Sequence, residues 1–358
     1  MRTADFHYVL PPDLIAQHPA PRRDQSRLMT LDRVSGSIAH TSFGEFPASL
    51  RPGDVLVLND SKVIRARLRG RKDRAGADLE VLLVEENFTN DWWAMVRPGK
   101  RAGIGTQIWF ADRERPIETV HAVVTEISPE GHRRLSFTGA ADVREELDGL
   151  GDVPLPPYIK RPEGAAEAED IARYQTVYAR ERGSVAAPTA GLHFTSELLE
   201  RVRRCGVEPR FITLHVGPGT FAPVKSADLS AHPIHQERFM IPPETADAVN
   251  RAREEGRRIV AVGTTTLRAL ESAASAQGRI AAAGPARTRL FIHPPHTFRI
   301  VDALLTNFHL PCSTLLMLVC AFAAPGETRG RELILGAYAE AMRRRYSFFS
   351  YGDAMLLR

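Results

Sequence analysis

The sequence predicts a mixed α/β protein, a large layered α/β domain interrupted by a small all-β domain. Three observations carry this. Strand–loop–helix units repeat from about residue 196 to residue 345. Asp54–Leu58 (DVLVL) is a continuous apolar run, as in a strand buried on both faces. From Leu79 to about Phe137 the texture changes to five short strand-like runs, separated by turns rich in Gly, Pro, Asn and Asp. Such spacing means a small barrel or sandwich. The length, 358 residues, suits one large or two ordinary domains. A hydrophobic fraction of 43% and a charged fraction of 25% are those of a soluble globular enzyme.

Taken in order, Pro12–Gln17 is a short helix opened by a proline pair. Arg22, Arg23, Asp24 and Arg27 form a polar cluster before a strand at Leu28–Leu31, and a solvated basic turn accounts for them. The run Asp54–Leu58 ends in Asn59-Asp60-Ser61-Lys62, where α/β folds place ligands, although Asn-Asp turns are also common for local reasons. Val63–Lys72 alternates and puts Arg65, Arg67, Arg69 and Arg71 on one face. Four like charges repel unless an anion is near, which favours a phosphate backbone over a plain solvent-facing strand. The insert follows, with runs at Leu79–Val84, Trp92–Arg97, Gln107–Phe110, Val120–Ile127 and Arg134–Phe137. Its residues suit binding or covering better than catalysis. Val153–Arg161 is a stiff proline-rich connector, and Glu163–Asp170 reads as a mobile acidic segment.

Tyr174–Thr195 (YQTVYARERGSVAAPTAGLHFT) is the stretch around which the chain is organised. It mixes Gln175, Tyr178, Ser184, Thr189, His193 and Thr195 with small residues that allow close backbone approach. A ligand-wrapping loop and a tightly packed Ala/Gly turn both fit it. Helix Ser196–Cys205 presents Leu198, Leu199, Val202 and Cys205 on one face. Strand Phe211–Val216, helix Pro243–Glu255, strand Arg257–Val262, helix Leu267–Gln277, strand Ala303–Leu305, helix Thr314–Ala324 capped by Ser313, and helix Arg331–Arg345 complete the layers. The tail closes as a strand with a polar turn at Gly352-Asp353.

Three strand–loop–helix junctions place Gly, Thr, Ser or Asn at helix N-termini, where free amides bind anions. In Val262–Arg268 (VGTTTLR), Thr264 and Thr265 sit at the helix start, and Arg268, one turn inside, suits a carboxylate. Neither GxxxxGK[ST] nor GxGxxG after a strand occurs, which disfavours nucleotide triphosphate and dinucleotide sites. His232, His235 and Glu237 lie close in HPIHQE. They suit acid–base chemistry, with an imidazole oriented by Glu237, or a metal site, although the spacing is not HExxH; His232 also suits a surface turn. His193, His215 and His309 each sit in a hydroxyl- and glycine-rich segment at a loop or strand end. No nucleophile elbow is present, so covalent catalysis is disfavoured. Cys205, Cys312 and Cys320 lack CxxC spacing and read as free, buried thiols. With no signal pattern and no apolar run long enough to span a bilayer, a cytoplasmic protein is expected. The net charge of +4 permits nucleic acid as a partner without demanding it.

The segments YVLPPDLIAQHPAPRRDQSRLM, VLNDSKVIRARL, LPPYIKR, YQTVYARERGSVAAPTAGLHFT, TLHVGPGTFAPV, HPIHQE, VGTTTLRALE, LLTNFHLPCSTLLMLVCAF and FFSYGDAML run through the whole chain. Together they resemble the S-adenosylmethionine:tRNA ribosyltransferase-isomerases of queuosine biosynthesis. Departures are small: Ile234 stands for a usual Met, Pro294-Pro295-His296 for a Pro-Gly-aromatic turn, and Ser347 for an Arg. The resemblance implies an α/β catalytic domain of residues 1–63 and 154–358, interrupted by a β-barrel of residues 64–153. It implies that the ribosyl unit of S-adenosylmethionine is transferred and isomerised onto the 7-aminomethyl-7-deazaguanine wobble base of tRNA with a GUN-type anticodon. Epoxyqueuosine-tRNA, adenine and methionine result, the donor is consumed, and neither a resident cofactor nor a metal is needed. A monomer is expected. The chemistry needs a base for the attacking amine, a proton for adenine, and removal of a proton beside the sulfonium. His235 with Glu237, and His193, are the acid–base candidates. Asp60 or Asp353 would hold the attacking ammonium. Thr264, Thr265 and Arg268 would bind the methionine carboxylate, with Thr189, Asn307 and His309 as further substrate contacts. Arg65, Arg67 and Arg344 would meet tRNA phosphate. A metal-dependent hydrolase built on HPIHQE and a non-catalytic RNA binder are the competing readings.

Overall fold

The computed structural model describes residues 1–73, 76–111, 120–161, 168–221, 224, 226–229, 234 and 236–358. Alternation along Val55–Asn59 sets the layering: Val55 and Val57 pack into one apolar cluster, Leu56 and Leu58 into another on the opposite face. The strand is fully buried, as its unbroken apolar run requires. It lies near the middle of a nine-stranded sheet. The order is Ala283–Thr288, Glu237–Ile241, Glu208–Leu214, Val55–Asn59, Ile259–Val262, Ala303–Asn307, Ala354–Leu357, Arg27–Leu31, Ile38–Ser42. Strands Glu208–Leu214, Val55–Asn59, Ile259–Val262 and Ala303–Asn307 run parallel. Helices Pro243–Glu254, Thr264–Ser272, Thr314–Ala323 and Gly330–Arg343 pack one face. Helix Ser196–Arg204 and the 3-10 segment Phe43–Ser49 cover the other through Leu198, Leu199, Val202, Phe43 and Phe46. Strand Ala354–Leu357 runs antiparallel to Ala303–Asn307, with Ala354 opposite Asn307, and parallel to Arg27–Leu31, with Ala354 opposite Leu28. This register brings Asp353 and Arg27 to the same edge as the carboxyl ends of the parallel strands, the edge where α/β sheets bind ligands.

The insert is a closed barrel. Strands Arg67–Lys72, Asp78–Phe88, Asp91–Arg97, Arg133–Thr138, Val120–Ile127 and Gln107–Phe110 pair in that order, and Gly70 opposite Phe110 closes the ring. Closure leaves no long unpaired edge. Val81, Leu83, Ala94, Ile108, Phe110, Val124 and Leu135 fill the interior. Helix Val143–Leu150, capped by the Asp142 side chain, adds Val143, Leu147 and Leu150 to that core. The fold expected from the sequence, a large α/β domain with a small β-barrel, is the one found.

Several local expectations change. Val63–Lys72 is not one strand. Ser61–Val63 pairs in parallel with Glu181–Ser184, and the barrel strand begins only at Arg67. Arg65 therefore lies in the crossover, outside the row. Its guanidinium donates to the Asp148 carbonyl at 2.6 Å, Arg67 donates to the Leu155 carbonyl at 3.4 Å, and Arg71 pairs with Asp78 at 3.4 Å. These contacts with the chain's own acceptors relieve the repulsion that pointed to an external phosphate. The Pro12–Gln17 helix shrinks to a 3-10 turn, Pro12–Leu14. Residues 162–167 of the supposedly mobile segment lie outside the described residues, but Asp170 at its end is fully buried. Only Cys320 of the three free thiols is buried; Cys205 terminates its helix and is exposed.

Candidate active site between the sheet edge and the barrel

Tyr174–Thr195 runs along the carboxyl edge of the sheet and touches both domains' cores. The Gln175 amide clamps both backbone groups of Val63. Val185 packs into the barrel core and Ala186 into the sheet core. Ser184 Oγ donates to the Ala186 carbonyl and accepts from the Val216 amide, tying the stretch to the loop after Glu208–Leu214. Thr195 caps helix Ser196–Arg204 by accepting from the Leu198 amide at 3.1 Å.

Against this stretch the edge forms two adjoining hollows. The inner one is lined by Thr189, Gly263, Thr264, Thr265, Asn307 and His309 among others. Gly263 takes φ +89°, a conformation that favours glycine, as it turns strand Ile259–Val262 into helix Thr264–Ser272. The first helical turn leaves amides without intrahelical partners beside the hollow. Thr189 Oγ1 donates to Asn307 Oδ1 at 2.9 Å, so both expected substrate contacts are on one hydrogen-bonded chain. The outer hollow, with room for about 600 Å³, lies between sheet and barrel. Glu85, Trp93 and Arg144 of the insert face His215, Glu237 and Arg268 across it. Leu315 lines both hollows and joins them.

Glu237 and Arg268 form a buried ion pair. Arg268 Nε also donates to the Leu290 carbonyl at 3.2 Å, and its Nη2 is buried without a partner among the described residues. Arg268 thus faces the outer hollow, whereas Thr264 and Thr265 face the inner one. His232 and His235 lie outside the described residues. Among the described residues no group of three His, Cys, Asp or Glu could hold a metal.

His193 is a strut. One ring nitrogen, Nδ1, bonds Ser26 Oγ at 2.7 Å, Nε2 takes the Asn307 side-chain amide at 3.3 Å, and the ring stacks on Phe43. Because the Asn307 amide donates to Nε2, the proton sits on Nδ1 and the ring holds Asn307 in place. Burial, helped by Arg23, pushes the His193 pKa down to about 3. His309 is similar: Nε2 bonds Thr306 Oγ1 at 2.7 Å, and burial takes it down to about 3. Both folded-state values lie below the ordinary 6.5. The unfolded chain therefore binds these protons first as pH falls. The stability they lend is complete above pH 6.5 and is lost on acidification toward about 3, by up to ~1.4 kcal/mol per pH unit for each ring. Urea titrations at pH 7 and pH 5 are expected to show this loss, and His309→Gln to remove part of it. An unchanged difference in that variant would show that other groups carry the acid sensitivity.

The two aspartates are held differently. Asp60 accepts from Thr213 Oγ1 at 2.7 Å and pairs with Arg180 at 2.9 Å, and burial raises its pKa. Asp353 is held by Arg27, through both backbone amide and guanidinium, and by the Ser347 amide. Asp353 therefore closes the C-terminal turn, with Oδ2 taking three of these bonds and Oδ1 one. Two strands separate it from the strand that leads into Asp60, so the two carboxylates do not share one amine. Arg344 pairs with Glu340 at the exposed end of its helix. Sequence reasoning missed Arg182, Arg238, Arg287 and Arg289 as cleft residues. They come from three separate segments of the chain, and only the meeting of barrel and sheet collects them.

Residues 3–357 match the family described as "Queuosine biosynthesis protein". The chain is 51% identical to the S-adenosylmethionine:tRNA ribosyltransferase-isomerase of Citrifermentans bemidjiense, over 100% of both chains. It is 52% identical to that of Thermus thermophilus, over 98% of both. The crystal structure of the Thermotoga maritima S-adenosylmethionine tRNA ribosyltransferase is similar at 39% identity with a TM-score of 0.54, covering 99% of this chain and 100% of that one. The nine segments and the barrel set into the α/β domain agree with these matches, and the chain belongs to the queuosine biosynthesis protein family.

Proposed function

We propose that the chain catalyses the S-adenosylmethionine:tRNA ribosyltransferase-isomerase reaction. The ribosyl unit of the donor is transferred and isomerised onto the 7-aminomethyl-7-deazaguanine base of tRNA, giving epoxyqueuosine-tRNA with release of adenine and methionine. One observation carries this: full-length relatives that share about half of the residues carry that name. The cleft supports it with room for a nucleoside-sized donor and a mouth that carries Arg289 together with Arg182, Arg238 and Arg287, whose pairs with Asp148 and Glu85 an anionic polymer would have to share. A metal-dependent hydrolase and a non-catalytic RNA binder find no support in the matches.

Roles follow from the contacts. Arg268 Nη2, held by the Glu237 pair, meets the methionine carboxylate at the cleft wall. Thr264, Thr265, Thr189, Asn307 and His309 line the inner hollow for the rest of the donor. His193 fixes Asn307, and Asp353 fixes the C-terminal turn. Asp60 holds the attacking amine, which replaces the exposed arm of Arg180. His235 protonates the leaving adenine. Arg344 extends the phosphate surface, while Arg65 and Arg67 brace the barrel. The tRNA has a GUN-type anticodon, and the enzyme works as a cytoplasmic monomer with no resident cofactor. No helix among the described residues is long and apolar enough to cross a membrane.

The test is to incubate the protein with S-adenosylmethionine and tRNA carrying the aminomethyl-deazaguanine base, with and without chelator, and follow products by mass spectrometry. Adenine and methionine are expected in equal amounts, with a matching mass gain on the tRNA and no chelator effect. A folded, tRNA-binding sample that releases neither would sink the reading.

A further inference from the structure

His215 follows the central strand Glu208–Leu214 and is held there by its backbone amide, which donates to the Arg238 carbonyl at 3.0 Å. Its ring lies over Gly183, where an added Cβ would meet ring atoms at 3.0, 3.1 and 3.4 Å. Gly183 has φ +139°, so two independent constraints keep a side chain out from under the imidazole. The ring lines the outer hollow beside Glu237 and Arg268. Its Nδ1 is buried and has no partner among the described residues. A buried polar atom left unpaired in this way calls for an explanation in what the cleft receives. Burial and then Arg238 lower the ring's pKa, while Glu181 and Glu85 oppose them. Arg238 comes from the neighbouring strand, Glu181 from the site loop and Glu85 from the barrel, with the Glu237–Arg268 pair lining the same hollow, and the net lowering keeps the imidazole neutral and able to accept a proton.

We infer that His215 is a catalytic base of the cleft, and that its imidazole takes the proton from the carbon next to the donor's sulfonium. The inference rests on the ribosyl-transfer reading. The C–H bond breaks, an N–H bond forms on the imidazole, and the electron pair stays on carbon beside the positive sulfur. The imidazolium then returns the proton to solvent. Asp60 serves the ammonium of the nucleophile, so the imidazole is left for the carbon acid.

The wild-type enzyme, His215→Gln and His215→Asn are compared in deuterated buffer, with S-adenosylmethionine and modified tRNA as substrates. Adenine release and deuterium beside sulfur in recovered donor are both read. Either variant is expected to slow adenine release roughly 10²- to 10⁴-fold with the donor KM nearly unchanged, and to abolish exchange. Imidazole added to His215→Ala is expected to restore part of the rate. In the wild type kcat falls on the acid side below pH 6.5, and that limb is missing from the residual rate of His215→Gln. Wild-type adenine release together with wild-type rate and exchange in a folded variant overturns the role of His215 alone. No adenine release from the wild type overturns the ribosyl-transfer reading and this inference with it.

Discussion

Asp170→Asn is expected to cost the fold roughly 3–5 kcal/mol. The Asp170 carboxylate is fully buried and accepts both arms of the Arg161 guanidinium, at 2.7 and 2.8 Å. Tyr351 donates its hydroxyl to the same carboxylate at 2.8 Å. The Arg161 side chain is only 3% exposed, so the asparagine variant takes from a buried cation the carboxylate that accepts two of its N–H groups. The Arg161 arm that reaches Asp170 also donates to the Gln17 carbonyl, so one carboxylate holds the N-terminal segment, the connector from the barrel and the C-terminal turn together. The Tyr174 amide closes onto the Asp170 carbonyl, immediately ahead of the site loop. Urea unfolding followed by tryptophan fluorescence reads the effect. A loss below about 1 kcal/mol would mean that water reaches Arg161 and that this pair behaves as a surface one.

Arg268→Lys is expected to raise the donor KM roughly 10- to 150-fold and to leave kcat within a few-fold. The range corresponds to one hydrogen bond to a charged group, about 1.5–3 kcal/mol. Lysine keeps a positive charge for Glu237 but cannot also present a second amine to the cleft, as the guanidinium does with Nη2. The carboxylate it would bind is remote from the reacting carbon, so the contact is equally strong in ground and transition states and affects KM alone. Steady-state kinetics with S-adenosylmethionine at saturating tRNA decides it. A collapse of kcat at constant KM would move Arg268 from donor binding to the chemical step.

What could be read in the sequence was local. Gln107–Phe110 and Val120–Ile127 appear with the bounds that their alternation indicates. Ser313 caps its helix as an N-terminal serine should. Tyr174–Thr195 stood out as ordered because Gln175, Ser184, Thr189, His193 and Thr195 are too polar for a core and sit among residues too small for a solvated face, although a bound ligand and close packing fitted it equally. What could not be read depends on partners distant in the chain. Asp170 lies in an Ala- and acid-rich segment and looks solvated until Tyr351 arrives 181 residues later. The arginine row holds its period only from Arg67 on, since the strand changes sheet at residues 64–66. The contacts of Asp353 and His193 were out of reach for the same reason. Their residue types suit catalysis, but their hydrogen bonds are made with Arg27, Ser347, Ser26 and Asn307.

The interleaved strand order also fixes a timetable for synthesis. Strand Val55–Asn59 leaves the ribosome early, but its neighbours Glu208–Leu214 and Ile259–Val262 are roughly 150 and 200 residues further on. At roughly 5–20 residues per second the strand waits on the order of ten seconds or more for its first partner. The barrel meanwhile can complete itself, since all six of its strands and the Gly151–Asp152 pairing that brings its two ends together lie within residues 67–152. That early closure holds the two crossing segments side by side before the central sheet exists. A nascent chain stalled just past the barrel therefore carries a finished module behind an apolar strand still unpaired, the species that a chaperone would meet.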